Sequence, residues 1–262
     1  MKKLNNPEAR DKESSGSSRG FVSPILIGMS LVTLLGGFLR FKALTFQSLW
    51  ADELLAAGAA ARGYHGIIDS CSRLDFNPPF FHIFLWLWQK VFGISELSAR
   101  TLPAIFGTLG IVALYFLGRE IFSRRVGLWV SLILAVNQFH LLYSQEVRPY
   151  SLLFLLIVLS YLFFIRQTKN PGWKNSLLYV GTSILLIYTH YFGLLVVASQ
   201  AIFLALTVPF PKWPNRARFL KFQLSSFLAL GLLYLPWIPH MLFLLPTTSS
   251  WTPKPQPGFF LQ

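Results

Sequence analysis

The hydrophobic positions of this chain arrive in blocks. Apolar runs lie at about 21–40, 79–93, 101–118, 127–143, 150–166, 176–190, 191–208 and 222–245. A helix crosses a hydrocarbon layer about 30 Å thick with roughly 20 residues and satisfies its own backbone hydrogen bonds, so such runs predict membrane-spanning helices. The short alternating strands of an outer-membrane barrel are not found, nor is a short-period repeat. The first run, Phe21 to Leu39, is longer than a signal-peptide core and lacks a small-x-small cleavage motif, and it reads as a retained helix. The run "PFFHIFLWLWQKVFG", Pro79 to Gly93, is different. At about 1.5 Å per residue it reaches only about 22 Å. It also carries His82, Gln89 and Lys90 at near-helical spacing, with Phe and Trp over the rest of its surface, the pattern of a helix lying in the membrane interface.

Composition agrees with an all-α membrane protein: 53% of residues are hydrophobic and 13% charged. The formal charge of +13 does not point to nucleic acid, because a DNA-binding domain gathers its basic residues on one soluble face. Here they punctuate apolar segments, as they do where charge orients membrane helices. With 79–93 left outside and the N-terminus cytoplasmic, the segments 1–20, 119–126, 166–175 and 209–221 hold 15 of the 23 lysines and arginines. If 79–93 crossed, the later loops would flip and the inside count would fall to 9. The positive-inside bias therefore selects seven crossings, a long first external loop at about 41–100 and a short one at Ser144–Pro149. Residues 1–20, polar and rich in Ser and Gly, read as a disordered cytoplasmic tail, and 21–262 as the transmembrane domain. Cys71 is the single cysteine, so no internal disulfide forms.

On this topology Asp52, Glu53, Asp69, Asp75, Glu96 and Glu146 are external, and all five histidines fall in external loops or the outer parts of helices. An aqueous site at the external membrane face is the expectation. Asp52 and Glu53 open an Ala-rich helix, where carboxylates complement the helix dipole; capping and catalysis weigh equally for them. Glu146, in "YSQEVRPY", is held near the membrane surface by a short loop, and ionisable groups so placed are functional candidates; an ion pair with Arg148 at the rim is the plainer reading. In "DFNPPFFH" the prolines Pro78 and Pro79 set the direction of the interfacial helix, and Asp75, Asn77 and His82 are expected to share the surface of Asp52. His190 lies at an outer helix end and by itself reads as an interfacial histidine, while Asn137, Gln138 and His140 read as helix-packing groups.

Five stretches in order, "LWADE" (49–53), "DFNPPFFH" (75–82), "SARTLPAIFGTLGIVALYFLGREIFSRRVG" (98–127), "LYSQEVRPYSL" (142–152) and "THYFG" (189–193), resemble the GT-C-fold glycosyltransferases of family 39, which includes protein O-mannosyltransferases and aminoarabinose transferases. The bacterial RgtA/B/C/D-like branch is the most similar. The resemblance covers nearly all of residues 21–258. It implies a multi-spanning helix bundle with interfacial helices in its first external loop, integral to a bacterial inner membrane. It further implies transfer of a sugar, with inversion, from a polyprenyl-phosphate donor to a lipid, glycan or protein acceptor. Asp52 is then the leading catalytic carboxylate, a general base, and Glu146 the second acidic position. Glu53, Asp75, Asn77, His82, Arg148, Tyr150 and His190 are the substrate-binding candidates. Many relatives carry His where this chain has Asn77. A divalent metal is open and its ligands unassigned; no other cofactor and no nucleic acid is expected. Relatives of this kind continue through further helices, so the chain reads as incomplete at its C-terminus. Two other functions stay open: a lipid or sugar transporter or flippase, which calls for ionisable groups near the membrane midplane and related halves, and an inactive membrane subunit.

Overall fold

The computed structural model describes residues 24–73, 77–207 and 215–248. The expected tail at 1–20, the candidate Asp75 and the C-terminal "GFFLQ" lie outside them. Every regular element among the described residues is helical. The long rods are α1 (Pro24–Phe41), α5 (Glu96–Ile121), α8 (Tyr150–Lys169) and α11 (Arg216–Tyr234). Between them lie α6 (Arg124–Val136), α7 (Gln138–Ser144), α9 (Trp173–Ile187) and α10 (Phe192–Thr207). A 3-10 turn, Leu235–Trp237, leads into α12 (Ile238–Thr248). Three short helices, α2 (Ala51–Ala61), α3 (Gly63–Arg73) and α4 (Phe80–Phe92), fill the interval between α1 and α5.

Local chemistry sets the boundaries. Ser95 caps α5 by accepting from the Ser98 N–H, and Ser123 caps α6 by accepting from the Val126 N–H. Gly63 and Gly93 adopt positive φ, 75° and 81°, where α2 turns into α3 and where α4 ends. The run read as one crossing at 127–143 is instead a bent pair: α6 stops at Asn137, whose side chain accepts from the His140 N–H to start α7, and the two axes differ by 65°. The interfacial expectation for 79–93 agrees with α4, a 13-residue helix too short to cross.

The rods alternate between two ends. Gly36 of α1 meets Ile111 of α5, and Ser160 of α8 bonds Ser183 of α9 across an antiparallel pair. Gln200 of α10 bonds both Ser160 and Tyr179. Gln167 of α8 reaches Ser176 of α9 and Ser226 of α11, so side-chain amides and hydroxyls join the helices where apolar burial supplies no drive. At Gly127 an added Cβ would run into the backbone of Tyr115 and Arg119, so α5 and α6 touch nearly backbone to backbone. Seven crossings were expected, but among the described residues four helices are long and apolar enough to cross a membrane, or five spans if the bent pair counts as one. At 15 and 16 residues, α9 and α10 extend about 22–24 Å and fall short of a full crossing. Leu31, Leu34, Phe38, Leu195 and Leu228 are exposed on the outside of the bundle, as befits a protein integral to a membrane.

The short helices form a layer across one end. Phe81 and Leu85 of α4 and Ala56 and Ala60 of α2 are fully buried in one cluster with Leu102 and Phe106 of α5 and Leu152 of α8. The Phe80 N–H donates to the Tyr188 carbonyl at 3.0 Å, docking α4 on the turn between α9 and α10. This layer, the α7–α8 loop and the α9–α10 turn meet at the same end.

Candidate active site

α2 opens at Trp50, whose backbone N–H donates to Glu53 Oε2 at 3.3 Å. Glu53 is fully buried. Arg100, in the second turn of α5, donates from Nε to Oε1 at 2.9 Å and from Nη2 to Oε2 at 2.6 Å, a bidentate pair. The Val147 N–H donates to the same Oε1 at 2.9 Å. Arg100 also reaches the carbonyls of Leu44, Gln47 and Ser48 and the carboxylate of Glu96. One buried ion pair therefore ties the 42–50 segment, α2, α5 and the α7–α8 loop together.

The bond from Val147 to Glu53 sets what lies beside it. Val147 sits between Glu146 and Arg148, and Asp52 precedes Glu53, so the two sequence stretches abut. The Arg148 N–H donates to the Glu146 carbonyl at 2.7 Å, closing a tight turn at Val147. Arg148 Nη2 lies 3.9 Å from Asp52 Oδ2, a long pair whose Asp52 partner keeps 46% of its side chain exposed. The Arg148 guanidinium also stands over the Tyr150 ring, 5.8 Å from its centroid, and the His190 ring approaches Tyr150 with centroids 6.1 Å apart. Glu146 carries a buried oxygen, Oε2, without a hydrogen-bond partner. Burial lifts its carboxyl above the usual carboxylate range, helped by Glu53 and Asp52 and opposed by Arg148 and Arg100. Next to it is a cavity of about 350 Å³ lined by Lys42, Gln47, Ser48, Trp50, Gln145 and Glu146.

Asp52, Glu146, Arg148, Tyr150 and His190 are thus brought to one end of the bundle, from three separate stretches of sequence. Glu53 is fully buried: a helical turn of about 100° per residue points it inward, into the Arg100 pair and the inner wall of the cavity, while Asp52 stays half exposed. His82 was expected on the surface of Asp52 but is fully buried in α4, its Nδ1 3.8 Å from Cys71 Sγ. Asn77 is buried too, at the start of the α4 layer. Arg100 had no assigned role in the sequence reading. Its signal was an arginine at the head of an apolar run, which demands a buried partner. Among the described residues no three His, Cys, Asp or Glu side chains converge to hold a metal ion.

The family profile of dolichyl-phosphate-mannose-protein mannosyltransferases matches residues 77–240. The chain is similar to dolichyl-phosphooligosaccharide-protein glycotransferase 1 of Pyrococcus furiosus, 30% identical over 162 residues, which cover 57% of this chain and 17% of that protein. The Pyrococcus horikoshii protein of the same name is 31% identical over 87 residues, 31% of this chain and 9% of its own length. Among solved structures, the Archaeoglobus fulgidus oligosaccharyltransferase crystallised with Zn and sulfate superposes with a TM-score of 0.64 at 15% identity, over 85% of this chain and 34% of that one. Its apo form gives 0.63 at 16% identity, over 84% and 30%. At such identities the likeness is one of fold. The chain spans less than a fifth of the curated relatives it matches and about a third of the solved chain. With a profile match over more than half its length, and that membrane helix bundle for a fold, the chain belongs to the dolichyl-phosphate-mannose-protein mannosyltransferase family, within the GT-C superfamily.

Proposed function

We propose that the protein is a membrane glycosyltransferase that moves a sugar from a polyprenyl-phosphate donor to an acceptor hydroxyl or amide at the external membrane face. The observation that carries this reading is the pairing of a half-exposed carboxylate, Asp52, with a guanidinium, Arg148, at the end of a helix bundle. A donor of this class keeps its tail in hydrocarbon and its phosphate and sugar at the interface, where these groups lie. The matching family and the Pyrococcus relative are named for dolichyl-phosphate-mannose and dolichyl-phosphooligosaccharide, which supports that substrate class.

In the proposed step Asp52 accepts the acceptor's proton as its oxygen or nitrogen attacks the anomeric carbon. A general base of this kind contributes about 10² to 10⁴ in rate. The bond from the anomeric carbon to the phosphate oxygen breaks, the electron pair leaves with the polyprenyl phosphate, and the configuration at the sugar inverts. Arg148 meets the charge that develops on the leaving phosphate with planar, paired donors. Glu146 lines the neighbouring cavity and orients the acceptor, and the Tyr150 and His190 rings flank the guanidinium. The Archaeoglobus fulgidus protein was crystallised with Zn. In this chain Asp52 and Arg148 carry the step, and among the described residues no three His, Cys, Asp or Glu side chains gather beside them. The N-terminus is assigned to the cytoplasm and the site to the opposite face, on the distribution of Lys and Arg. Within the family, the RgtA/B/C/D-like branch is the proposed assignment.

The test is transfer from labelled polyprenyl-phosphate sugars by the purified protein in proteoliposomes. Label leaving the lipid for an added acceptor supports the reading. Label that only changes leaflet while still attached to its lipid overturns it in favour of a flippase.

A further inference from the structure

α1 and α6 end side by side, and each end leaves carbonyls without intrahelical donors. Arg40, in the last turn of α1, is fully buried. Its Nη1 donates to the Gly36 carbonyl at 2.8 Å and to the Ala135 carbonyl at 3.1 Å, while Nη2 donates to the Leu134 carbonyl at 3.1 Å. Leu134 and Ala135 are among the last residues of α6, where the helix carries partial negative charge that a guanidinium complements. Nη2 also lies 2.9 Å from His140 Nδ1 in α7. A guanidinium has no lone pair to offer, so Nδ1 accepts and the imidazole proton sits on Nε2. In return, Gln145 Nε2, one residue past α7, donates to the carbonyls of Leu39, Arg40 and Lys42 at 3.2, 3.2 and 3.0 Å.

We propose that Arg40 and Gln145 form a clamp, Arg40 capping α6 and holding His140 of α7 while Gln145 caps α1, that holds the 65° bend at Asn137 and thereby positions the functional loop. The consequence follows from connectivity. Gln145 precedes Glu146 directly, and Lys42 begins the segment that runs to Trp50, so the clamp fixes both walls of the 350 Å³ cavity. It also sets the register in which Val147 meets Glu53, and with it the approach of Arg148 to Asp52. Arg40 and Gln145 are positioning residues: they touch the elements that carry the site, not the reacting atoms. The geometry of the clamp stands by itself, and its effect on turnover rests on the transferase reading above.

Two variants test it in the intact, membrane-embedded protein. Gln145→Leu removes two N–H donors that three carbonyls share, at a partly exposed position. Arg40→Lys keeps the charge, but the three donors of one ammonium cannot serve three carbonyls and the imidazole together. Hydrogen exchange read by mass spectrometry is expected to quicken at least about tenfold in 42–50 and 145–148 in both variants, as two or three hydrogen bonds are lost. The α8–α9–α10 core around Ser160, Ser183 and Gln200 is expected to keep its wild-type rates. In the transfer assay kcat falls while the donor KM stays within about twofold, since the donor's own contacts are kept. Unchanged exchange in those two segments, an equal rise throughout the helices, or loosened segments with wild-type kcat overturns the proposal. If Arg40→Lys fails to fold, Gln145→Leu decides alone. A wild-type protein with no transfer activity would sink the transferase reading and leave the exchange result to decide the clamp.

Discussion

A turn of about 100° per residue along α2 separates two adjacent carboxylates into different environments. Glu53 goes inside, where Arg100, Trp50 N–H and Val147 N–H consume its acceptors; Asp52 stays half exposed beside Arg148. Removing one partner of a buried pair strands the other charge and costs about 3–5 kcal/mol. Glu53→Gln and Arg100→Met are therefore each expected to lower the melting temperature sharply, and the double variant to recover part of the loss, in thermal unfolding of the purified protein. Glu146 gives a second residue-scale expectation. Its folded pKa is raised, so the folded protein holds that proton more tightly than the unfolded chain does. Its stabilising effect is complete below the ordinary carboxylate pKa and is lost as pH rises through the elevated folded value. Wild type should lose melting temperature relative to Glu146→Gln across that interval; parallel curves would contradict the assignment. Both carboxylates were legible in the sequence as polar islands between apolar runs. The separate fates of Asp52 and Glu53 were not, because they depend on the register between residues 53, 100 and 147, distant along the chain.

The bend at Asn137 shows what a local pattern omits. The stretch "LAVNQFH" has neither Pro nor Gly, and its hydrophobicity reads as one crossing. The break comes from an Asn side chain competing for a backbone N–H and from Arg40, 94 residues or more away in sequence, capping the exposed carbonyls. α7 then packs so closely on α5 that a Cβ at Gly107 would overlap the Ser144 side chain. Gly107→Ala is expected to push α7 from α5 and destabilise the protein by about 1–3 kcal/mol, the usual cost of overpacking. An unchanged unfolding midpoint would contradict that contact. The layer of short helices was readable from the length of the 79–93 run. Its burial of His82 was not, since period and length do not say which helix face meets a neighbour.

At the scale of the molecule, alternation of the rods puts the described basic segments 119–126 and 166–175 at one end and the site at the other. Lys169 and Arg166 meet Glu120 at the basic end, while Asp52, Glu146 and His190 gather opposite. Single cysteines introduced at Ile94 and Lys174 should accordingly label from opposite sides of the membrane in intact cells, with Ile94→Cys reached from outside. Labelling of both from one side would contradict the topology. The helical architecture was visible in the hydropathy blocks. The number of full crossings was not, because the runs at 176–190 and 191–208 form helices of 15 and 16 residues, α9 and α10, on either side of the Tyr188–Tyr191 turn, shorter than a full crossing.

The most direct measurement is single-turnover sugar transfer from a polyprenyl-phosphate donor by wild type and Asp52→Asn, with donor binding measured in parallel. The account expects the chemical rate of Asp52→Asn to fall by about 10² or more, with donor affinity little changed, as loss of a general base requires. A variant that transfers sugar at the wild-type rate would contradict it.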